Sequence, residues 1–365
     1  MTMTADSTIP DVGLPPAGHS RALALGLVID GPPGFVQGLL GDWRSRYQTT
    51  VFAHRALRLP VLEERTNRLR LKRALARFMA AHDVVFFEWA GPLLVAASHL
   101  GTSTPIVVRL HSFELFAYAP RVNWGAVTRV VLVSRAMQRR FCDLFPAQAE
   151  KTCVVHNGVD VARFAHQRSH VGGVVGTLGN ILPIKRVYEL ILSVHQLAES
   201  GDRVSLRIGG PEGEGTEGAR YYVAVQRLIR TLSCGERVSI VGRIEDPAAF
   251  LKGLDVFVSN SYWEGQQVAL LEAMAAGCYC LAHAWDGAEE VLPPECLFLT
   301  DTQLRDKISA FLGSTQPEKL ERQVAMAAIA AGQFSAADMQ DRIRAVIESA
   351  RTAAPPGGLP PAPGA

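Results

Sequence analysis

The residues best placed to do chemistry lie in one run, Glu264-Gly265-Gln266-Gln267-Val268-Ala269-Leu270-Leu271-Glu272-Ala273-Met274-Ala275-Ala276-Gly277. It follows an apolar strand at 255–259 and a loop containing Tyr262 and Trp263, and it reads as the opening of a helix. A helix start offers N–H groups without intrahelical partners and the positive end of the dipole, a ready site for a diphosphate. Glu264 stands at that entrance. Glu272 lies further along, about 12 Å down the axis at about 1.5 Å per residue. Acids so far apart suit the two ends of one extended ligand rather than a carboxylate pair acting on one bond. One acid then faces a sugar and the other a ribose diol, with phosphates between them on the amides of Gly265, Gln266, Gln267 and Val268. Spacing alone leaves a plainer reading open, an acid stabilising its helix start plus one surface glutamate.

Positioning such a run takes strands and helices in alternation. Short β-branched runs at 22–29, 49–52, 83–87, 105–110, 129–133 and 152–155 read as strands buried on both faces, with helices at 62–81, 91–100 and 134–144 between them. The pattern then restarts. Strands are expected at 173–178, 204–208, 238–241, 256–259, 278–282 and 297–299, separated by helices near 185–200, 219–233, 246–253, 265–276 and 286–291. Helical sequence from 301 to about 351 closes the pattern. Such alternation means parallel sheets with helices on both sides, so two doubly wound domains are predicted. Ligands of open parallel sheets bind beyond the carboxyl ends of the strands, so two facing sheets share a cleft between two substrates. The expected division is a disordered segment 1–20, one Rossmann-like domain at 21–165, a second at 166–335, a helix at 336–352 free to pack back on the first domain, and a disordered tail 353–365.

Composition narrows the class. Of 365 residues, 48% are hydrophobic and 20% charged, the balance of a soluble globular protein. Residues 1–160 carry about six more basic than acidic side chains, most of the excess between Arg44 and Arg77, while the rest of the chain is net acidic. The six cysteines, Cys142, Cys153, Cys234, Cys278, Cys280 and Cys296, lack zinc-ligand or redox spacing and read as small buried hydrophobes suited to a reducing cytosol. His54, His166, His170 and His283 form no ligand pattern, so no metal site is expected. Residues 1–20 have no apolar core of a signal peptide, and no segment reaches the roughly 18 apolar residues of a spanning helix. A cytoplasmic protein, soluble or peripheral at the inner face of the membrane, is expected.

The run from Glu264 to Glu272 resembles the double-glutamate signature of glycosyltransferase family 4, retaining enzymes of the GT-B fold. The resemblance extends over about 105–300, with its parts in order. Arg109-Leu110-His111-Ser112-Phe113-Glu114 is similar to the family's strand-end histidine segment, and Val133-Ser134 to the family segment next in order. Val155-His156-Asn157-Gly158-Val159-Asp160 resembles the asparagine-glycine-valine-aspartate turn, His156 standing where relatives often have proline and reading as structural. Gly179-Asn180-Ile181-Leu182-Pro183-Ile184-Lys185-Arg186 is similar to the phosphate-binding loop, and Val241-Gly242-Arg243 to the nucleobase loop.

The resemblance implies a transferase moving a sugar from a nucleoside diphosphate donor to a hydroxyl acceptor, with Glu264, His111 and Lys185 as catalytic residues. Lys185 pairs with the donor phosphates as a point charge, and His111 contacts the transferred sugar. Glu272, Gly265, Gln266, Gln267, Val268, Asn180, Gly242, Arg243 and Gly34 then bind the donor, and Glu114 and Arg109 lie on the acceptor side, Glu114 either orienting the acceptor or fixing His111. Three departures from the family stand out. Asn180 replaces a common arginine, leaving Lys185 and the 265–268 amides to neutralise the diphosphate, with Arg186 or Arg243 as substitutes. Gln266-Gln267 replaces an aromatic-glycine pair, so two amide side chains are expected to enter the site. The loop Asp30-Gly31-Pro32-Pro33-Gly34-Phe35 lacks the glycine pair many relatives have, though Gly34 still permits close backbone approach.

Retention in such enzymes needs no covalent intermediate, and Lys185 with the helix start takes the electrostatic place of a divalent metal. No cofactor is expected beyond the donor itself. The acceptor is a glycan, a lipid-linked sugar or a small molecule, and nucleic acid is not expected. The helix at 62–81 carries Arg65, Arg68, Lys72, Arg73 and Arg77 beside Leu69, Leu75, Phe78 and Met79. It either rests on an anionic membrane or packs its apolar stripe on the sheet and shows arginines to water. Rival readings are a GT-B-fold epimerase or phosphorylase and a non-catalytic nucleotide-sugar-binding protein.

Overall fold

A computed structural model describes residues 22–31, 34–54 and 63–352. The expected disordered segments 1–20 and 353–365 lie outside the described residues, as do Pro32 and Pro33 of the first-strand loop. The first half alternates β1 (Ala24–Ile29), α1 (Gly34–Arg46), β2 (Gln48–Val51), α2 (Glu63–Ala80), β3 (Val84–Glu88), α3 (Pro92–Ser98), β4 (Ile106–Leu110), α4 (Glu114–Ala117), β5 (Arg129–Leu132), α5 (Arg135–Leu144), β6 (Thr152–Val154) and α6 (Val161–Phe164). The second continues with β7 (Val174–Leu178), α7 (Val187–Glu199), β8 (Ser205–Gly209), α8 (Gly215–Thr231), β9 (Val238–Gly242), α9 (Pro247–Lys252), β10 (Val256–Ser259), α10 (Val268–Ala275), β11 (Tyr279–His283), β12 (Leu297–Phe298), α11 (Asp301–Gly313), α12 (Gln316–Gln333) and α13 (Ala336–Thr352).

Two six-stranded sheets result, ordered β2-β1-β3-β4-β5-β6 and β12-β11-β10-β7-β8-β9, with every pairing parallel. This is the doubly wound pair that the sequence predicts. The strand order reverses between β1 and β3 in the first sheet and between β7 and β10 in the second, which marks the two crevices where ligands enter.

Burial explains why these strands form. β3 and β4 are buried at every position, so their β-branched and aromatic side chains need cover on both faces. Val85 and Phe87 pack with Leu75, Met79 and Leu94 of α2 and α3. Val84 and Phe86 point the other way, onto Trp43 of α1 and Met339, Ile343, Ile347 and Ala350 of α13. The last described helix thus completes the core of the first domain, held also by Arg344 to Asp42 at 2.8 Å and the Tyr47 hydroxyl to Glu348 at 2.9 Å. In the second domain Val256, Phe257 and Val258 of β10 join one core with Leu270, Leu271 and Met274 of α10 and with Met326 and Ala330 of α12.

Three local differences from the sequence reading have physical causes. α1 carries Gly34, Gly38 and Gly41, a poor helix former by propensity, but Leu39 and Trp43, one turn apart, are fully buried and decide the matter. α10 begins at Val268 rather than 265, with Gln267 as its cap, so the stretch from Glu264 to Gln267 is loop. The expected helix at 286–291 is a single tight turn, Ala288–Glu290, entered through Gly287 at φ 102°.

Candidate active site

β3 and β4 carry their last residues to the first crevice. After β3 the chain turns at Trp89, whose φ of 81° is rare for a bulky residue. Its ring lies where a Cβ on Gly31 would come within 2.7 Å, so only glycine fits at that point of the β1 loop. Trp89 also packs against the His111 ring, centroids 4.1 Å apart and planes tilted by 30°. The His111 ring is therefore gripped from one side by packing. Its Nε2 meets Glu88 Oε1 at 2.7 Å, and its backbone N–H donates to Glu114 Oε1 at 3.1 Å. Ser112 N–H donates to Glu114 Oε2 at 2.9 Å. The two oxygens of Glu114, which is fully buried, thus hold the backbone amides of His111 and Ser112, and Glu114 fixes His111 rather than reaching an acceptor. Arg109 also lies off the acceptor side. It is 1% exposed, bonded to the Asn157 side chain and 3.5 Å from Glu88, because β4 faces α13 at that position. Burial draws its pKa down against the opposing charge of Glu88.

The second crevice is assembled by glycines. A Cβ on Gly210 would fall 1.9 Å from the Gly179 carbonyl oxygen, and Gly210 N–H donates to Gly242 O at 2.7 Å. The loops after β7, β8 and β9 therefore meet closely, with Asn180 and Arg243 exposed beside them. From there a tight turn, Pro183–Lys185, leads through Arg186 in the left-handed region into α7. Arg186 is buried, bonded to Asp301 at 2.7 Å and to Asn260 at 3.3 Å, with Tyr262 stacked on its guanidinium. It locks the loop and is not a substitute phosphate ligand. Its neighbour Lys185 points instead to Glu264, and Nζ bonds to Oε1 of that carboxylate. Ser261 Oγ donates to the same oxygen at 2.6 Å.

Gly265 joins the two crevices. A Cβ there would lie 2.1 Å from the His111 carbonyl oxygen, so the two segments touch backbone to backbone. Lys185 and Glu264 of the second domain thus stand next to the His111 backbone of the first. Gln266 goes elsewhere than expected. Its Oε1 accepts from Asn157 N–H at 2.6 Å and its Nε2 lies 3.0 Å from His156 Nδ1, so the side chain pins the domains together instead of entering the site. Gln267 is buried at the start of α10, its carbonyl accepting from Leu270 and Leu271. The amides of Val268 and Ala269 precede the first intrahelical donors and face out of the helix end. One turn on, Glu272 is pushed up to about 7 by burial, with the charge of Arg163 opposing. Gly34 begins α1, after the β1 loop.

Glu88, Trp89 and Ser261 were not singled out from sequence, and Asn157 only as part of its turn motif. Glu88 had a readable signal, a charge closing the apolar strand Val84-Val85-Phe86-Phe87, because buried charges at strand ends are paired or functional. Among the described residues no group of three or more His, Cys, Asp or Glu is placed to hold a metal, and the six cysteines are unpaired.

Residues 171–314 match the family described as "Glycosyl transferases group 1" and residues 34–163 the one described as "Glycosyltransferase Family 4", adjoining halves that together take in most of the chain. The chain belongs to the family 4 glycosyltransferases. No curated protein matches this glycosyltransferase at a significant level. Among solved structures, HepE from Anabaena in complex with UDP and glucose has a TM-score of 0.75 at 19% identity, covering 89% of this chain and 100% of that one. The UDP-forming trehalose-phosphate synthase of Burkholderia vietnamiensis has a TM-score of 0.72 at 14% identity, covering 92% and 98%. Sucrose-phosphate synthase of Thermosynechococcus elongatus gives 0.70 at 14%, covering 89% and 98%. These likenesses speak for the fold of the glycosyltransferase, which is GT-B. No described helix is long and apolar enough to cross a membrane.

Proposed function

We propose that this glycosyltransferase moves a sugar from a nucleoside diphosphate donor to a hydroxyl acceptor with retention of configuration. The observation that carries the proposal is the pairing of Lys185 with Glu264 just before α10, where the adjoining Gly265 lies against the His111 carbonyl. The donor's phosphates lie between the Lys185 ammonium and the Val268 and Ala269 amides, the sugar between Glu264 and His111, and the ribose against Glu272. That HepE was solved with UDP and glucose favours a UDP-type donor. Asn180, Gly242 and Arg243 line the nucleotide end, and Gly34 the opposite wall. As the bond from the anomeric carbon to the diphosphate breaks, the acceptor oxygen bonds to that carbon from the same face, and its proton passes to the departing phosphate oxygen. Lys185 and the helix start stabilise the leaving diphosphate, so catalysis without a metal is part of the proposal. The test is incubation with UDP-glucose and candidate acceptors, reading UDP release and, by proton NMR, the anomeric configuration of the product. Inversion overturns retention. Turnover of UDP-glucose to an epimer, or phosphorolysis without acceptor, favours the rival activities.

Glu272 gives the proposal a pH signature. An ionised carboxylate accepts both hydroxyls of a ribose diol, whereas a protonated one accepts less and donates. With its pKa at about 7, affinity for the free nucleoside diphosphate should tighten as pH rises from 6 to 8. Calorimetry on Glu272→Gln should show that part of the slope removed, with Kd raised about 30-fold at pH 8, the worth of roughly 2 kcal/mol of charged hydrogen bonding. An unchanged slope counts against the assignment. The sign for folding is the reverse. A folded pKa above the unfolded value means stability falls as pH rises from about 4.5 to about 7.

The acceptor's class is suggested by the first domain. In α2 the side chains of Arg65, Arg68, Arg70, Lys72, Arg73 and Arg77 are exposed, while Leu75 and Met79 are buried in the core. The apolar stripe packs on the sheet, and the basic face turns outward with Leu69 half exposed. We include in the proposal a peripheral encounter of this face with an anionic membrane on the cytoplasmic side, each near-surface cation contributing about 1 kcal/mol. Co-sedimentation with phosphatidylserine vesicles at low salt, lost at high salt and in Arg68→Glu/Lys72→Glu, is the expected result. No binding at low salt removes the membrane from the account.

A further inference from the structure

We propose that Glu88 is a positioning residue, which sets the orientation of the His111 ring and keeps its proton on Nε2. The inference deepens the proposed function, since it rests on His111 serving the transferred sugar. Packing cannot do this alone. Trp89 packs against the ring at a tilt of 30° and restrains it, but an imidazole turned over by half a revolution about its second side-chain torsion fills almost the same space. A polar partner has to break the tie.

Glu88 is placed for that. It ends β3 and is the register partner of Arg109 on β4, two residues before His111, so pairing of the two strands brings carboxylate and imidazole together. The carboxylate is fully buried, and its Oε1 lies 2.7 Å from His111 Nε2 and 3.5 Å from an Arg109 nitrogen. Arg109 is itself fixed by the Asn157 side chain and by Met339 Sδ at 3.3 Å. A buried carboxylate beside a guanidinium is stable as the anion, and an anion only accepts. Nε2 must then be the protonated nitrogen, which leaves Nδ1 as the acceptor in a neutral ring. A mere structural ion pair between Glu88 and Arg109 has no need of His111. The short contact of Oε1 with the imidazole, at the residue just after β4 whose carbonyl faces Gly265 across the cleft, gives the carboxylate its second task.

The experiment uses full-length enzyme labelled with nitrogen-15 histidine, with the His111 ring signals assigned by their loss in His111→Ala. In the wild type the proton is expected on Nε2. In Glu88→Gln, whose amide either accepts or donates, a mixture of tautomers is expected, and kcat should fall about 10- to 100-fold with donor KM within about twofold, as for the outer partners of other functional histidines. Should Glu88→Gln fail to fold because Arg109 is left buried and unpaired, the charge-balanced Glu88→Gln/Arg109→Met variant is read in its place. A wild-type ring protonated on Nδ1, or a variant with unchanged tautomer and unchanged kcat, overturns the inference. The tautomer measurement needs no substrate. Full turnover by His111→Ala would instead sink the reading of His111 as a sugar contact while leaving the tautomer assignment standing, so the two failures are told apart.

Discussion

Replacing Glu264 with alanine is expected to lower kcat by a factor on the order of 10³, roughly 4 kcal/mol of transition-state stabilisation, while Kd for the free nucleoside diphosphate stays within about threefold. The split comes from where the carboxylate lies. Glu264 precedes α10 and touches Lys185 and Ser261, whereas Glu272 lies one turn into the helix. On the proposed function, loss of Glu264 removes the acid that faces the sugar but leaves the helix start and the ribose contact intact. Glu264→Gln is the sharper variant, because the amide still accepts from Ser261 and keeps the shape. Stopped-flow measurement of transfer beside calorimetric titration of UDP gives both numbers. Equal losses in binding and turnover would assign Glu264 to the nucleotide instead.

Lys185→Ala is the second large effect, and its signature differs. Lys185 is the cation at the tight turn before α7, with Arg186 committed to Asp301 and Asn260. A diphosphate leaving group gains negative charge as the glycosidic bond breaks, so removing the cation should cost about 10²- to 10³-fold in kcat. Diphosphate Kd should also weaken, about tenfold, because ground-state phosphate already carries charge. The Lys185–Glu264 pair is only partly buried, at 22% and 11% exposure, so unfolding temperature should fall by a few degrees at most. Lys185→Arg should not restore full activity, since a planar fork does not reproduce a compact ammonium on a turn of fixed length. Donors with different leaving groups, a nucleoside diphosphate against a fluoride that carries no phosphate, provide the check. If Lys185→Ala slows both donors alike, the charge argument fails.

How much of this was readable before the structure depended on the range of each contact. The double-glutamate run was legible because one strand, one loop and one helix position it in continuous sequence, and the two parallel sheets were legible because apolar strands alternate with helices throughout. The roles of Gln266, Arg109 and Glu114 were not. Gln266 finds Asn157 across 109 positions of sequence, and Arg109 finds Met339 across 230, contacts that exist only once the domains meet and α13 folds back. Glu88 reaches His111 only because the sheet order sets β3 beside β4. The start of α10 was misplaced for a smaller reason, since Gly265 and the glutamines carry no strong helix-start signal, and contact with His111 holds them in an extended loop.

The most direct test is a crystal structure of the enzyme with UDP-glucose, or with UDP where the sugar is lost. The account predicts the phosphates over the Val268 and Ala269 amides and within hydrogen-bond reach of Lys185, the ribose hydroxyls on Glu272, and any hexose beside Glu264 and His111. A nucleotide seated in a different crevice, or lying with its phosphates away from the start of α10, contradicts it.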